Sequence, residues 1–333
     1  MDDWRMALVT VFSVLGGILG LGLINEAYIR VTAPKLDVRD KHCYVTGGSQ
    51  GLGKSVACDL ARRGAHVTIV ARRASVLQSA LDEIKKCACS PKDQQFEYIV
   101  ADVTNAKEAV EAVREAELLQ GKPISNLFTV AGVANPGMFL EQSTELIEKT
   151  MALNYLGTVY TVHEVARRMV EANVRGARIV MVSSVLGFLG LVGYAAYSPS
   201  KFAVRGLAEA LRTELQAHGI HINCYFPGTI FTPGYEAENL TKPAVTKEIE
   251  GADDGLTPEK CSEGLFKGIE RGEFAIVTDP IGSLFRCATR GVMPNNNIVL
   301  DSCIAVIGWL AFTPWRMLVD HTVMKYAAKA KKD

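Results

Sequence analysis

The segment His42-Cys-Tyr-Val-Thr-Gly-Gly-Ser-Gln-Gly-Leu-Gly53 joins a short apolar strand to a glycine-rich turn. A helical pattern follows at once over residues 54–63. The glycines permit a tight turn and the close approach of a pyrophosphate, whose negative charge the free N–H groups of the next helix favour. Three glycines would also suit a plain turn. The flanking strand and helix favour a dinucleotide site formed by Gly47, Ser49, Gln50, Gly51, Leu52 and Gly53.

Strands and helices alternate along the chain after this turn. Helical patterns separate further apolar segments at residues 66–70, 96–101, 127–130, 178–183, 220–226 and 274–277. This order predicts an α/β fold, a doubly wound, Rossmann-like parallel sheet with helices on both faces and ligands at the carboxyl ends of its strands. We assign residues 38–278 to this domain.

The end of the second predicted strand indicates which dinucleotide binds. An NAD site usually carries an acid about 20 residues beyond the glycines, where it binds the ribose 2′-hydroxyl. Here Ala71 stands near that position and Arg72 follows, which favours the 2′-phosphate of NADPH. Two solvated arginines at the start of a helix are the alternative. Later strand ends place Asp102 and Val103 near the adenine, and Gly132 beside the cofactor.

Three side chains have the chemistry and spacing for proton transfer to a carbonyl. Tyr197 and Lys201 lie four residues apart at the start of a predicted helix, so they share one face. We expect the ammonium to lower the pKa of the phenol from about 10 toward a working range. Ser184, at the end of a strand, could hydrogen-bond the same carbonyl oxygen. An ordinary exposed helix pair has the same spacing, so the other motifs must decide.

Two further segments bear on the site. Asn154 lies among apolar neighbours in a helix predicted over residues 144–170, which suits either a functional amide or a satisfied structural one. The strand at 220–226 runs into Pro227 and Gly228. The following segment, residues 228–256, is called the flap here. It is long and rich in proline and glycine, so we expect an irregular, mobile lid over the substrate.

Composition excludes several classes of function. The formal net charge of the 333 residues is zero, which does not favour nucleic acid as a partner. Eight scattered cysteines without CxxC spacing indicate free thiols in a reducing compartment. Cys87-Ala-Cys89 has no histidine or second cysteine pair close by, so we predict no metal site.

The amino end predicts a membrane anchor. Residues 6–24 are nineteen residues without a charge, close to the roughly 20 that cross a bilayer as a helix. A cleaved signal peptide and a buried soluble helix are the alternatives. Basic residues follow the span at Arg30, Lys35, Arg39 and Lys41, which places the main domain in the cytosol. We assign residues 1–30 to the anchor.

The carboxyl end, residues 279–333, is predicted to associate with the membrane in another way. Residues 298–312 are apolar apart from Asp301 and Ser302, but fifteen residues are short for a span. A re-entrant or interfacial segment, or half of a hairpin with residues 281–293, fits better, and a soluble dimer-interface helix is the alternative. The tail at 329–333 resembles a dilysine retrieval signal, although a solvated basic tail would look the same.

These motifs together resemble the short-chain dehydrogenase/reductase family over residues 42–278. The resemblance rests on the order and spacing of Thr46-Gly-x-x-x-Gly51-x-Gly53, Asn154, Ser184, Tyr197, Lys201 and Pro227-Gly228. It implies that Tyr197 donates the proton, that Ser184 polarises the carbonyl and that Lys201 holds the nicotinamide ribose. It further implies that Asn154 anchors a proton-relay water and that Thr232 contacts the carboxamide. One departure is Thr129, where the family has Asn in Asn-x-Ala-Gly, which weakens a sheet contact more than the chemistry.

Within this family, residues 197–211 and 232–243 are similar to the reductases of 3-ketosphinganine. The resemblance implies NADPH-dependent reduction of a long-chain 3-keto sphingoid base at the cytosolic face of the endoplasmic reticulum membrane. Membrane lipid would be a partner, and a homodimer is compatible with this family. Reduction of a 3-ketoacyl-CoA or a steroid ketone is an alternative, and a nucleotide-sensing membrane scaffold is another. If the catalytic domain faces the cytosol, the Asn239-Leu-Thr241 sequon should stay unglycosylated.

Overall fold

The structure, a computed structural model, describes residues 3–251 and 254–330. Within these residues seven parallel strands form one sheet in the order β3-β2-β1-β4-β5-β6-β7. The strands are β1 His42–Thr46, β2 His66–Ala71, β3 Phe96–Val100, β4 Ile124–Thr129, β5 Arg178–Val182, β6 His221–Tyr225 and β7 Ala275–Ile276. This confirms the predicted doubly wound α/β fold.

Helices cover both faces of the sheet. They are α2 Gly51–Arg62, α3 Ala74–Lys86, α4 Ala106–Gln120, α5 Thr144–Met151, α6 Gly157–Glu171, α7 Tyr197–Gln216 and α10 Pro258–Glu270. Consecutive strand residues point to opposite faces, so Tyr44 packs in the core beneath α4, α6 and α7 while Val45 packs beneath α2, α3 and α10. Burial on both faces explains why the strands are nearly continuous apolar runs.

The flap is more regular than the sequence predicted. It contains two helices, α8 Pro233–Thr241 and α9 Ala244–Glu250, while Ala252 and Asp253 lie outside the described residues. The expectation of irregular structure is therefore wrong. The hydroxyl of Thr232 caps α8 by accepting from the N–H of Tyr235 at 3.1 Å, and Pro233 occupies the first turn, where proline is well tolerated. A proline that would break a helix elsewhere begins one here.

Two long helices lie at the ends of the described chain, α1 Asp3–Thr32 and α12 Ile298–Ala330, with the shorter α11 Pro280–Ala288 before α12. By length and composition both long helices could cross a membrane. Residues 298–312 form the first part of α12, which continues past Pro314 to Ala330, and the predicted re-entrant, interfacial or hairpin arrangement of this segment stays a prediction. Polar residues such as Arg316 and Lys325 end the apolar run but are good helix formers.

The two end helices are fastened to each other and to the sheet. The amide of Asn297 donates to the carbonyl of Gly22 at 2.9 Å, and Asn25 accepts from the N–H of Ile298 at 3.0 Å. Buried Arg178, at the start of β5, donates to the carbonyl of Pro34 at 2.9 Å, just beyond α1. Of the predicted dilysine-like tail, residues 331–333 lie outside the described part of the chain.

Candidate active site

The glycine turn between β1 and α2 leaves no room for side chains at its closest points. Gly47 has φ +68°, a left-handed conformation that favours glycine. A Cβ atom at Gly53 would lie 2.2 Å from the carbonyl oxygen of Gly47. The Gln50 side chain precedes α2 without capping it, so the first N–H groups of this helix can bind an anion. The turn thus has the shape and polarity of a pyrophosphate cradle.

The sheet order places a crevice beside this turn. β1 lies between β2 and β4, so the connections run in opposite directions from this point, where doubly wound sheets bind ligands. Gly132 follows β4, and a Cβ atom there would lie 3.1 Å from Oδ1 of Asn154 and 3.3 Å from Nζ of Lys201. A Cβ atom at Gly51 would lie 2.9 Å from Cγ2 of Thr232. Predicted site residues from five distant segments therefore approach one another in two groups beside this crevice.

Asn154 lies in a π-helical turn, Ala152–Leu156, that separates α5 from α6. Its side chain is fully buried and makes three hydrogen bonds. Oδ1 accepts from the N–H of Val133 at 2.8 Å, while Nδ2 donates to the carbonyl of Val133 and to Oγ of Ser200, both at 3.0 Å. Such π turns recur at functional sites because they redirect one side chain. Here the turn directs the amide to the loop after β4.

Ser184 and Tyr197 place two hydroxyls together at the end of β5. Ser184 follows the strand, and its Oγ accepts from the N–H of Leu186 at 3.2 Å. It lies near the phenol of Tyr197, the first residue of α7. Burial raises the pKa of Tyr197 above its usual value, and the nearby Ser184 hydroxyl opposes this rise. The phenol is therefore protonated at neutral pH and can act as an acid.

Lys201 is buried one helical turn beyond Tyr197. Its ammonium donates to the carbonyl of Val182 at 3.0 Å and lies 5.7 Å from the centre of the Tyr197 ring. Burial lowers the pKa of Lys201 to about 8. The expectation that this ammonium lowers the pKa of Tyr197 is wrong for the polypeptide by itself. Burial of the phenol dominates, because the ammonium bonds the backbone of β5 instead.

The residues predicted to bind the rest of a dinucleotide surround the same edge. Arg72 is exposed at the end of β2, and Nη2 of its neighbour Arg73 donates to Oε1 of Gln50 at 3.0 Å. Arg73, which the sequence did not single out, thus brings a second guanidinium to the glycine turn. Asp102 instead accepts from the N–H and the hydroxyl of Thr104, at 3.0 and 2.8 Å, and so shapes the turn after β3.

Three more predicted residues pack against neighbouring segments of the fold. A Cβ atom at Gly157 would lie 2.9 Å from Cγ2 of Val103, which shows how closely α6 approaches the loop after β3. The carbonyl of Pro227 accepts from the N–H of Val185 at 3.0 Å. Gly228 lies next to Asp279, whose Oδ2 would be 3.4 Å from an added Cβ atom. Val103 thus lies in the loop after β3, and Pro227 and Gly228 lie in the loop after β6.

Thr129 stands where the family has Asn, just before the turn that follows β4. Contacts to the neighbouring strand β1 hold this turn. The hydroxyl of Thr129 is buried and has no hydrogen-bond partner among the described residues. The N–H of Val130 donates to the carbonyl of Thr46 at 3.2 Å, and the N–H of Ala131 donates to the Thr46 hydroxyl at 3.4 Å. Backbone contacts to β1 therefore position Gly132.

A charged cluster that sequence reasoning missed borders the site. The hydroxyl of Tyr194 donates to Oε1 of Glu238 in α8 at 2.5 Å, and Lys242 lies 3.4 Å from the same oxygen. The ring of Tyr194 packs 6.0 Å, centre to centre, from the ring of Tyr197. A signal existed in the sequence, since Glu238 and Lys242 are four residues apart and can pair on one helix face.

The family model described as short chain dehydrogenase matches residues 41–242 of the chain. The chain belongs to the short-chain dehydrogenase family. The match includes the glycine turn, Asn154, Ser184, Tyr197 and Lys201. It also reaches through α8 of the flap, so this short-chain dehydrogenase shares with its family every segment that meets at the site.

Relatives with assigned names resemble this short-chain dehydrogenase along most of its length. A 3-ketodihydrosphingosine reductase of Cryptococcus neoformans is 36% identical over 302 residues, 89% of this chain and 88% of that one. The 3-ketodihydrosphingosine reductase of Dictyostelium discoideum is 34% identical over 312 residues, which cover 91% of this chain and 92% of that one. A 3-dehydrosphinganine reductase of Danio rerio is 36% identical over 294 residues, which cover 88% of this chain and 86% of that one. The similarity therefore extends beyond the Rossmann-like domain.

Solved structures confirm the fold. A short-chain type dehydrogenase/reductase from Mycobacterium ulcerans superposes with a TM-score of 0.63 at 26% identity, over 73% of this chain and 89% of that one. A short-chain dehydrogenase from Sphingobium yanoikuyae in complex with NADPH superposes with a TM-score of 0.61 at 24% identity, over 71% of this chain and 87% of that one. These likenesses establish the architecture on which the residues of this site are arranged.

Proposed function

We propose that this short-chain dehydrogenase reduces the ketone of 3-ketosphinganine to the alcohol of dihydrosphingosine, with NADPH as the reductant. The observation that carries the proposal is the placement of Tyr197 near Ser184 and 5.7 Å from the ammonium of buried Lys201, at the crevice of a dinucleotide-binding sheet. The names of the relatives, at 34–36% identity over about nine-tenths of the chain, support the choice of ketone.

The chemistry follows from the positions of the hydroxyls. Bound NADPH supplies a hydride to C3 of the ketone. Ser184 donates a hydrogen bond to the carbonyl oxygen as negative charge develops there, and Tyr197 transfers its proton to that oxygen. The phenol of Tyr197 is protonated before the reaction and therefore carries the proton to be transferred. Lys201, with a pKa of about 8, is protonated at neutral pH and keeps a positive charge 5.7 Å from the centre of the Tyr197 ring.

The glycine turn fits a dinucleotide, because a side chain at Gly53 would collide with the Gly47 carbonyl and push α2, with its free N–H groups, away from the turn. We propose that Arg72 and Arg73 select NADPH by binding the 2′-phosphate. Their guanidinium groups follow β2, and Arg73 already contacts Gln50 of the turn. Guanidinium groups bind phosphate through several N–H donors at once. An NAD-specific site would need an acceptor for the 2′-hydroxyl at this strand end, where Ala71 stands.

We propose that the protein resides in the endoplasmic reticulum membrane with residues 38–278 in the cytosol. The support is α1 and α12, whose large apolar side chains are mostly exposed, including Phe12 and Leu23 of α1 and Trp309 of α12. A substrate with a long alkyl chain partitions into lipid, so an anchored enzyme meets it there. Protease added to sealed microsomes should digest the catalytic domain. Protection of this domain, or a glycan on Asn239, would contradict the orientation.

The experiment that tests the function is a turnover assay of the purified, detergent-solubilised protein. We expect NADPH oxidation with 3-ketosphinganine at a far higher kcat/KM than with a 3-ketoacyl-CoA or a steroid ketone, and little turnover with NADH. The Tyr197→Phe variant should lose nearly all activity while still binding NADPH. Activity on another ketone but none on 3-ketosphinganine would refute the proposal. If the Tyr197→Phe protein still supported growth of cells that lack the reductase, a role without turnover would replace it.

A further inference from the structure

The flap contains a cluster of charged side chains around one buried lysine. Lys242 is the centre, with its side chain 3% exposed. Its ammonium lies 2.8 Å from Oε2 of Glu250 in α9 and 3.4 Å from Oε1 of Glu238 in α8. The rings of Tyr194 and Tyr235 also approach the ammonium, at 5.9 and 5.1 Å from their centres. The two flap helices are held together by this cluster.

The cluster lies beside the reacting groups. Tyr194 connects them, because its hydroxyl bonds Glu238 at 2.5 Å while its ring packs 6.0 Å from that of Tyr197. Burial is the main cause of the raised pKa of Tyr197, and the negative charge of Glu238 adds to it. The flap is further joined to the loop before α7, since the hydroxyl of Thr246 donates to the carbonyl of Val192 at 3.0 Å. Glu238 is therefore connected to Tyr197 through a single intervening side chain, that of Tyr194.

The charges within the cluster do not balance. The carboxylates of Glu238 and Glu250 carry two negative charges, and Lys242 supplies one positive charge. Among the described residues, the hydrogen bond from Tyr194 and the 3.4 Å approach of Lys242 both involve Oε1 of Glu238, so Oε2 can accept from a ligand. The Glu238 side chain is 17% exposed, so it can be reached from outside the cluster. A partly buried site with one excess negative charge favours a ligand with one positive charge.

The proposed substrate has such a charge in the right place. 3-Ketosphinganine carries an amino group on C2, directly beside the ketone carbon, whereas 3-ketoacyl-CoA and steroid ketones have no amine there. An ammonium at this position must lie close to any group that binds the carbonyl oxygen. A nearby carboxylate also favours the protonated form of the amine.

We infer that Glu238 binds the C2 ammonium of the substrate and selects amino ketones over other lipid ketones. This inference rests on the proposed function and names the group that determines its specificity. The bond orients C2 and therefore C3 beneath the hydroxyls of Ser184 and Tyr197. The rival explanation is that Glu238 only holds the flap together through Tyr194 and Lys242. The two roles differ in whether the effect of Glu238 depends on the amine of the ketone.

The experiment compares two ketones with the full-length protein in detergent. One is 3-ketosphinganine, and the other is 1-hydroxyoctadecan-3-one, which keeps the chain, ketone and primary hydroxyl but lacks the amine. A hydrogen bond to a charged group changes an equilibrium by roughly ten- to a hundredfold. We expect the wild type to prefer the amino ketone by about that factor in kcat/KM. Because this first comparison uses no variant, it does not depend on whether a variant folds.

The second comparison measures the same ratio of kcat/KM values in variants. Glu238→Gln keeps an acceptor for Tyr194 but removes the charge, so the ratio should fall roughly ten- to a hundredfold. Glu238→Asp keeps the charge and should recover part of the preference. Glu236→Gln, at an exposed position of the same helix, is the matched control and should leave the ratio as in the wild type. NADPH affinity of each variant reports whether the rest of the site is intact.

The outcomes separate this inference from the proposed function. If the wild-type protein does not reduce 3-ketosphinganine, both the proposed function and the role of Glu238 are refuted. A wild type that reduces both ketones equally well keeps the proposed reaction and overturns the role of Glu238. Equal losses on both ketones in Glu238→Gln would show that this residue only holds the flap. A selective loss on the amino ketone, with partial recovery in Glu238→Asp, establishes recognition of the ammonium.

Discussion

Removing the carboxylate of Asp301 should destabilise the junction between α11 and α12. Arg286 and Asp301 form a two-point ion pair, with Nη1 to Oδ2 at 2.8 Å and Nη2 to Oδ1 at 2.7 Å. Both side chains are almost fully buried, at 5% and 3% exposure. Oδ2 of Asp301 also accepts from the N–H of Asn296 at 2.8 Å. Since Asn296 donates in turn to the carbonyl of Ala275 in β7, this pair docks α12 on the edge of the sheet.

The expected cost follows from this geometry. Asp301→Ala leaves a buried guanidinium without its hydrogen-bonded carboxylate, and losing one partner of a buried pair costs about 3–5 kcal/mol. In a domain of this size each kcal/mol lowers the melting temperature by roughly 2–4 °C, so a fall of about 6–20 °C is expected. Asp320→Ala, an exposed acid on the same helix, is the matched control and should change stability by less than about 0.5 kcal/mol.

The assay is thermal and denaturant unfolding of the detergent-solubilised protein, followed by circular dichroism and by residual NADPH oxidation. A double variant, Arg286→Met with Asp301→Leu, separates charge from packing, because an apolar pair of similar volume is often as stable as a buried ion pair. We expect the double variant to recover most of the loss. A loss below about 1 kcal/mol in Asp301→Ala, or one no larger than in Asp320→Ala, would refute the reasoning.

Three further predictions concern the site. Because burial lowers the pKa of Lys201 to about 8, its ammonium is present at pH 7 and is lost as the pH rises, so NADPH affinity should weaken roughly tenfold between about pH 7.5 and 9.5. Fluorescence titration checks this, and Lys201→Arg, which stays charged, should show no such slope. Arg72→Ala and Arg73→Ala should each weaken NADPH about ten- to a hundredfold and NADH little, whereas equal losses on both nucleotides would contradict the 2′-phosphate assignment. Asn154→Leu removes three hydrogen bonds of about 1 kcal/mol each, so denaturant unfolding should show a loss of about 2–3 kcal/mol, and a change under about 0.5 kcal/mol would contradict the contacts in the structure.

The parts of the site that could be predicted are those that depend on short spacings. Tyr197 and Lys201 fall four residues apart on one helix, and Ser184 follows the preceding strand. Their pKa values could not be predicted in the same way. The ammonium of Lys201 bonds the carbonyl of Val182, and the phenol of Tyr197 is governed by burial. Both effects come from segments that only the folded chain brings together.

Two residues of the carboxyl-terminal half are accommodated in ways that the local sequence does not reveal. Proline breaks a helix at most positions, and a charge such as that of Asp301 opposes burial. In the folded chain Pro233 lies in the first turn of α8 behind the cap of Thr232. The charge of Asp301 is neutralised by Arg286, fifteen residues earlier. In both cases a partner or a position outside the local pattern accommodates the residue.

The sequence by itself determined the alternation of strands and helices, the glycine turn and the identity of the groups that can move a proton. These features depend on periodicity and on backbone conformations, which neighbouring residues control. Only the tertiary structure decided that Glu238 of the flap lies beside Tyr194, that Gly132 approaches Asn154, and that Arg73 reaches the glycine turn. Electrostatic effects and hydrogen bonds depend on distances of a few ångströms between residues far apart in the chain, and those distances are set when the sheet is assembled.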